Sequence, residues 1–128
     1  MDSKSNSLNW FEIPVTDLDR AKKFYETIFA MEPMYSMNMS GADMAFFPME
    51  MDGKTVGGGL IKHESATPCA KGTVVYLNAN PDMPAILDRV EKAGGKIVMP
   101  RTQITPEIGY SAFIIDTEGN RVGLHSSK

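Results

Sequence analysis

The sequence predicts an α+β protein of two βαβββ modules in one chain, with concave mixed sheets facing each other and helices outside. Two observations carry this. Segments with strand and helix patterns come in the order strand, helix, three strands, and the order recurs at an offset of roughly sixty-five residues. Each helical segment has one apolar stripe, so it covers one sheet face and leaves the other to pair with a second half or to bind something. The 128 residues suit a single domain, with module one at about 8–63, a linker at about 64–72 and module two at about 73–126.

Leu8 to Val15 is rich in aromatic and branched residues and reads as a strand. Thr16 or Asp17 can cap a helix over Leu18 to Ala30, because a side-chain oxygen there satisfies free backbone N–H groups. Leu18, Ala21, Tyr25, Ile28 and Phe29 recur at helical spacing, with Phe24 at the stripe's edge. Glu32-Pro33 ends the run. Strands follow at Met34–Met39, Met44–Met49 and Thr55–Lys62, divided by a turn at Ser40–Asp43 and a hairpin signal at Asp52-Gly53. Ser65 to Gly72 is the linker.

Thr73 to Asn78 opens the second module. Asn80 can cap its helix, with Pro81 in the first position, where a missing N–H costs nothing. Met83, Ile86, Leu87 and Val90 form the buried stripe, and Gly94-Gly95 ends the helix. Lys96–Met99, Tyr110–Ile115 and Arg121–His125 are strands, the last two joined by a turn at 116–120.

A net charge of −3 with scattered Lys and Arg argues against nucleic acid or an anionic membrane as partner. No apolar stretch reaches the length of a membrane span, and the first residues lack a signal peptide's apolar region, so a cytoplasmic protein is expected. The single Cys69 fits a reducing compartment. Ten methionines, seven of them between Met31 and Met51, suit irregular packing or an adaptable binding wall.

Three stretches resemble a known family. Phe11-Glu12-Ile13-Pro14-Val15-Thr16-Asp17-Leu18 with the helix to Tyr25, Ala93-Gly94-Gly95-Lys96-Ile97, and Asp116-Thr117-Glu118-Gly119-Asn120 running into Arg121–His125 are similar to the vicinal-oxygen-chelate group of glyoxalase, bleomycin-resistance and extradiol-dioxygenase relatives. The resemblance implies metal ligands at fixed places on the concave face. The first falls on Trp10, seven residues before Asp17. Its second-module counterpart falls on Thr73 or Val75. The closing strand's ligand falls on Gly123, and the fourth strand's lies within Val56-Gly57-Gly58-Gly59-Leu60. None of these is a His, Asp or Glu, so no metal at those places, no glyoxalase I activity and no extradiol ring cleavage are expected.

Other residues can still carry chemistry. Trp10 and Glu12 share one strand face. Glu12 reads as a general base if apolar neighbours raise its pKa, or as a carboxylate that orients the cleft wall. Trp10 reads as a ligand platform or as packing. Glu12, His63 and His125 would make a displaced divalent-metal site, a reading set below hydrogen-bonded or exposed histidines. Gly57-Gly58-Gly59 signals a close approach or a bulge. Arg101 and Arg121 can grip an anion. Met44, Phe46, Phe47, Tyr110 and Phe113 are cleft or core depending on register.

The leading reading is a homodimeric small-molecule-binding protein without a metal. Its pocket between paired modules draws on Trp10, Glu12, Phe47, Gly58, Thr73, Val75, Tyr110, Gly123 and His125. The alternatives are a metal-dependent isomerase or lyase acting on a small oxygenated metabolite with Glu12 as base, and an interaction module whose cleft its own side chains fill.

Overall fold

The structure, a computed structural model, describes residues 1–128. β1 (Trp10–Pro14) leads into α1 (Leu18–Phe29), capped by Asp17, whose Oδ1 accepts the Arg20 backbone N–H at 3.0 Å. Thr16 instead donates its N–H and hydroxyl to Glu118. α1 buries Ala21, Phe24, Tyr25 and Ile28, an i, i+3, i+4, i+7 set in which Phe24 is as buried as its neighbours. Ala30 closes the helix in the left-handed conformation, φ 48°.

β2 (Tyr35–Met39) and β3 (Ala42–Phe46) pair across a two-residue turn, Ser40-Gly41, in which both φ angles are positive. β3 therefore begins and ends earlier than the sequence suggested. β4 (Gly57–Lys62) starts only after a loop, so Asp52-Gly53 turns within that loop and not in a tight hairpin. Phe47 still donates its N–H to the Gly58 carbonyl at 3.0 Å, with its ring on the helix face against Phe11 and Tyr25, and Pro48, which has no N–H, follows it.

In the second module, β5 (Tyr76–Asn78) is followed by α2 (Met83–Val90), β6 (Lys96–Thr105), β7 (Gly109–Ile115) and β8 (Arg121–Ser126). Asp82, not Asn80, caps α2, accepting the Ala85 N–H at 3.1 Å. Asn80 is committed elsewhere: its Oδ1 accepts the Ser127 N–H and hydroxyl, and its amide donates to Asn78. α2 stops at Val90, and Gly95 closes the following turn by donating to the Val90 carbonyl. β6 runs six residues past the expected Met99. Three register shifts against β7 absorb the irregularity around Pro100.

The two sheets have the same topology, β1-β4-β3-β2 and β5-β8-β7-β6, each with one parallel pair and otherwise antiparallel. The α+β class and the doubled βαβββ plan are thus present. α1 packs on β3 and β4, α2 on β6 and β8, and the helices touch each other. One apolar cluster joins both modules, from Ile13, Phe24 and Leu60 to Leu77, Met83 and Leu124.

The opposite sheet faces are open. On sheet one, Glu12, Gly59, Phe46 and Tyr35 align across four strands. Trp10 and Tyr35 flank the Phe46 ring at centroid distances of 5.8 and 6.3 Å. On sheet two, Tyr76, Gly123, Phe113 and Met99 align in the same way. Tyr35 is 69% exposed and Tyr76 52%.

Candidate functional site

The modules are fastened at one point by a turn. Asp116 is buried and accepts the Tyr25 hydroxyl at 2.6 Å, the Glu118 and Asn120 backbone N–H groups, and the Asn120 amide. Asn120 also donates to the Pro14 carbonyl at 2.7 Å and accepts the Cys69 N–H at 3.0 Å. Burial first, and then the Asp116 charge, push the Tyr25 hydroxyl well above its ordinary pKa, so it stays a donor. Glu118 reaches across to α1. It accepts both the Thr16 and Asp17 N–H groups at 2.9 Å and pairs with Arg20 at 2.8 Å. Burial works against its charge. The Arg20 hydrogen bonds, the Asp17 N–H, the Thr117 hydroxyl and the Thr16 N–H outweigh it and hold the carboxyl at about 2. These contacts fasten the end of β1 and the start of α1 to the turn between β7 and β8, and so one module to the other.

Two recesses lie along the seam between them. An apolar cavity of about 440 Å³ has Leu8 and Phe11 from the first segment, Gly58 and Phe47 on the same helix-facing side of sheet one, Phe29 and Met31 at the end of α1, and Val75 and Leu77 from the second module. Gly58 is required there, because a Cβ would run into the Phe11 ring. Toward the fastened end, a polar recess of about 270 Å³ is lined by Glu12, Cys69, Lys71, Thr73, Asn120 and Arg121, with Val75 shared between the two.

The residues singled out from sequence therefore occupy several places. Phe47, Gly58 and Val75 line the apolar cavity, and Glu12, Thr73 and Val75 the polar recess. His125 faces a third recess with Tyr76, Asn78, Asn80 and Ile104. Trp10 and Gly123 lie on the open faces. Tyr110 packs on the apolar cluster with the Arg101 guanidinium 3.5 Å from its ring centroid, so it belongs to the helix side. Glu12 is exposed and accepts the Trp10 Nε1–H at 3.3 Å. The apolar burial that the general-base reading required is missing within this chain.

The family's metal positions can be tested against the same geometry. Glu12 and Tyr76 are equivalent, since each pairs with a glycine, Gly59 and Gly123. The counterpart of Trp10 is then Val74, between the two positions weighed from sequence. At Gly59 the backbone leaves no room for a larger side chain, since a Cβ would lie 2.7 Å from the Ala45 carbonyl oxygen, whereas a Cβ on Gly123 would meet the exposed Tyr76 ring at 2.5 Å. A donor set of Trp, Val and two glycines does not fit a divalent metal. His63 and His125 do not meet. His63 bonds Ser65 and lines a recess with Thr16 and Asp43, whereas His125 Nε2 donates to the Ile108 carbonyl at 2.8 Å. No group of three or more His, Cys, Asp or Glu is positioned to hold a metal.

A family model described as the Glyoxalase/Bleomycin resistance protein/Dioxygenase superfamily matches residues 7–124. The chain belongs to that superfamily. A glyoxylase-like domain-containing protein of Didymella fabae is 30% identical over 122 residues, covering 88% of each chain. The CFP32 proteins of Mycobacterium bovis and Mycobacterium tuberculosis are 29% identical over 119 residues, and this chain spans only 44% of their length. Among solved structures, a glyoxalase/bleomycin resistance protein from Albidiferax ferrireducens superposes with a TM-score of 0.66 at 18% identity, over 93% of this chain and 97% of its own. Glyoxalase I from Zea mays gives 0.65 at 20% identity, over 92% of this chain and 43% of its own. At these identities the structures show a shared superfamily fold. No helix is long and apolar enough to cross a membrane.

Sequence reasoning missed Tyr76, Lys71 and Leu77. The glycine register could have pointed to Tyr76, because an aromatic ring commonly covers a strand glycine on its neighbour. Lys71, in the linker, carries no periodic signal.

Proposed function

We propose that this superfamily member binds a small, largely apolar molecule in the seam between its modules, without a metal, as a cytoplasmic homodimer. The observation that carries the reading is the apolar cavity of about 440 Å³ bounded by both modules, a volume within the usual range for small-molecule sites. The lack of donors at Trp10, Val74, Gly59 and Gly123 supports a metal-free pocket. The single Cys69 suits a reducing compartment. Membership of the superfamily supports pairing of two chains.

The neutral fluorescent probe N-phenyl-1-naphthylamine tests the cavity. Saturable binding to the wild type, weakened about tenfold in Val75→Phe, is expected, because the larger ring fills the space. Equal binding by both proteins would remove the seam from the account. Elemental analysis of untagged protein showing stoichiometric Ni, Zn, Fe or Mn would overturn the metal-free part. Light scattering at the 14.1 kDa of one chain would overturn the dimer.

A further inference from the structure

The polar recess at the fastened end of the seam holds charges that the fold leaves without partners. Glu12 enters it from β1, Lys71 from the linker and Arg121 from the start of β8. The chain's two ion pairs are Arg20–Glu118 and Lys54–Asp52, so none of these three is neutralised. The Arg121 guanidinium sits 4.1 Å from the Phe113 ring centroid. That stacking orients the group while leaving its N–H edges free for a planar oxyanion. Glu12 is oriented by the Trp10 N–H, which occupies one carboxylate oxygen and leaves the other. Asn120, the remaining strong polar group, is consumed by Pro14, Asp116 and Cys69.

Opposite charges thus line one recess without closing on each other. Its volume of about 270 Å³ equals several waters, at roughly 30 Å³ each, which is enough for a head group of five heavy atoms. We infer that this recess binds the head of a zwitterionic, α-amino-acid-type ligand. The carboxylate lies against Arg121 and Lys71, and the ammonium against Glu12. Val75 lines both recesses, so an apolar side chain on that head can enter the neighbouring cavity. For the ligand's tail, this inference rests on the seam-binding reading.

Isothermal titration calorimetry with three probes of one shape tests it: L-phenylalanine, 3-phenylpropanoate, which lacks the ammonium, and 2-phenylethylamine, which lacks the carboxylate. L-phenylalanine is expected to bind about tenfold more tightly than either half-charged probe. Glu12→Gln should lower L-phenylalanine to the level of 3-phenylpropanoate and leave the latter unchanged. Arg121→Gln should weaken both carboxylates and spare the amine. Both positions are exposed, so folding is expected to survive, and circular dichroism checks it. Binding of all three probes within about twofold, or of none at about 10 mM, overturns the inference, as does an unchanged ranking in the two variants. If the charged probes fail while N-phenyl-1-naphthylamine still binds, the zwitterion site falls and the apolar seam stands. If every probe fails, both fall.

Discussion

The two ends of the seam are built from opposite materials. At the end where Pro14 meets the 116–120 turn, Asp116, Glu118 and Asn120 satisfy a tyrosine, an arginine, a proline carbonyl and several backbone N–H groups across the module boundary. At the end where Leu8 faces Leu77 and Asn78, side chains are apolar and a cavity remains. Directional bonds fix two modules at a defined separation. Apolar contacts alone would draw them together until the space closed. The hydrogen-bonded end thus acts as a spacer for the empty one.

Breaking the spacer gives the largest expected effect. Asp116→Ala strands the Tyr25 hydroxyl and two backbone N–H groups in the interior, and should cost about 3–4 kcal/mol in urea unfolding. Tyr25→Phe removes one of those donors and should cost less, about 1–2 kcal/mol.

Acid sharpens the same contrast. The folded Glu118 titrates at about 2, below its ordinary 4.5, so its contribution is present above pH 4.5 and is lost as pH falls from there through about 2. Glu118→Gln should cost about 2 kcal/mol at neutral pH and flatten the stability profile in that acid window. A wild-type profile already flat between pH 4.5 and 2 would deny the spacer its charge.

The open faces give smaller effects and differ between modules. Gly59→Ala meets a backbone carbonyl in a central strand and should lower stability by about 1–3 kcal/mol. Gly123→Ala meets only the exposed Tyr76 ring, which can swing away, and should cost less than about 1 kcal/mol by thermal unfolding. Val75→Phe at the empty end should leave stability within about 1 kcal/mol of wild type while abolishing most probe binding, the reverse of Asp116→Ala.

How far these features could be read in the chain follows their range. α1 was legible almost to the residue, because its stripe and the Asp17 cap are local. The α2 cap was misplaced. Asn80 is a competent cap by type, but Ser127, far along the chain, takes its side-chain oxygen, the atom a cap would use. The early end of β3 had a local cause instead: Pro48, which has no N–H for a ladder, lies inside the Met44–Met49 span that the strand pattern suggested. Among the site candidates, Trp10 and Glu12 were correctly put on one face by alternation alone. Tyr110 could not be, because its side depends on the register of β7 against β8.

By itself, then, the sequence determined the doubled strand–helix–strand order, the helix stripes and the poverty of metal donors at the family positions. Periodicity and residue chemistry carry those, and neither needs a third dimension. Tertiary structure alone decided that the candidate residues separate into an apolar cavity, a polar recess and open faces. That partition depends on strand register and on bonds between residues about a hundred positions apart, such as Thr16 with Glu118 and Pro14 with Asn120. No local pattern encodes which of two faces, or which partner, such a residue will find.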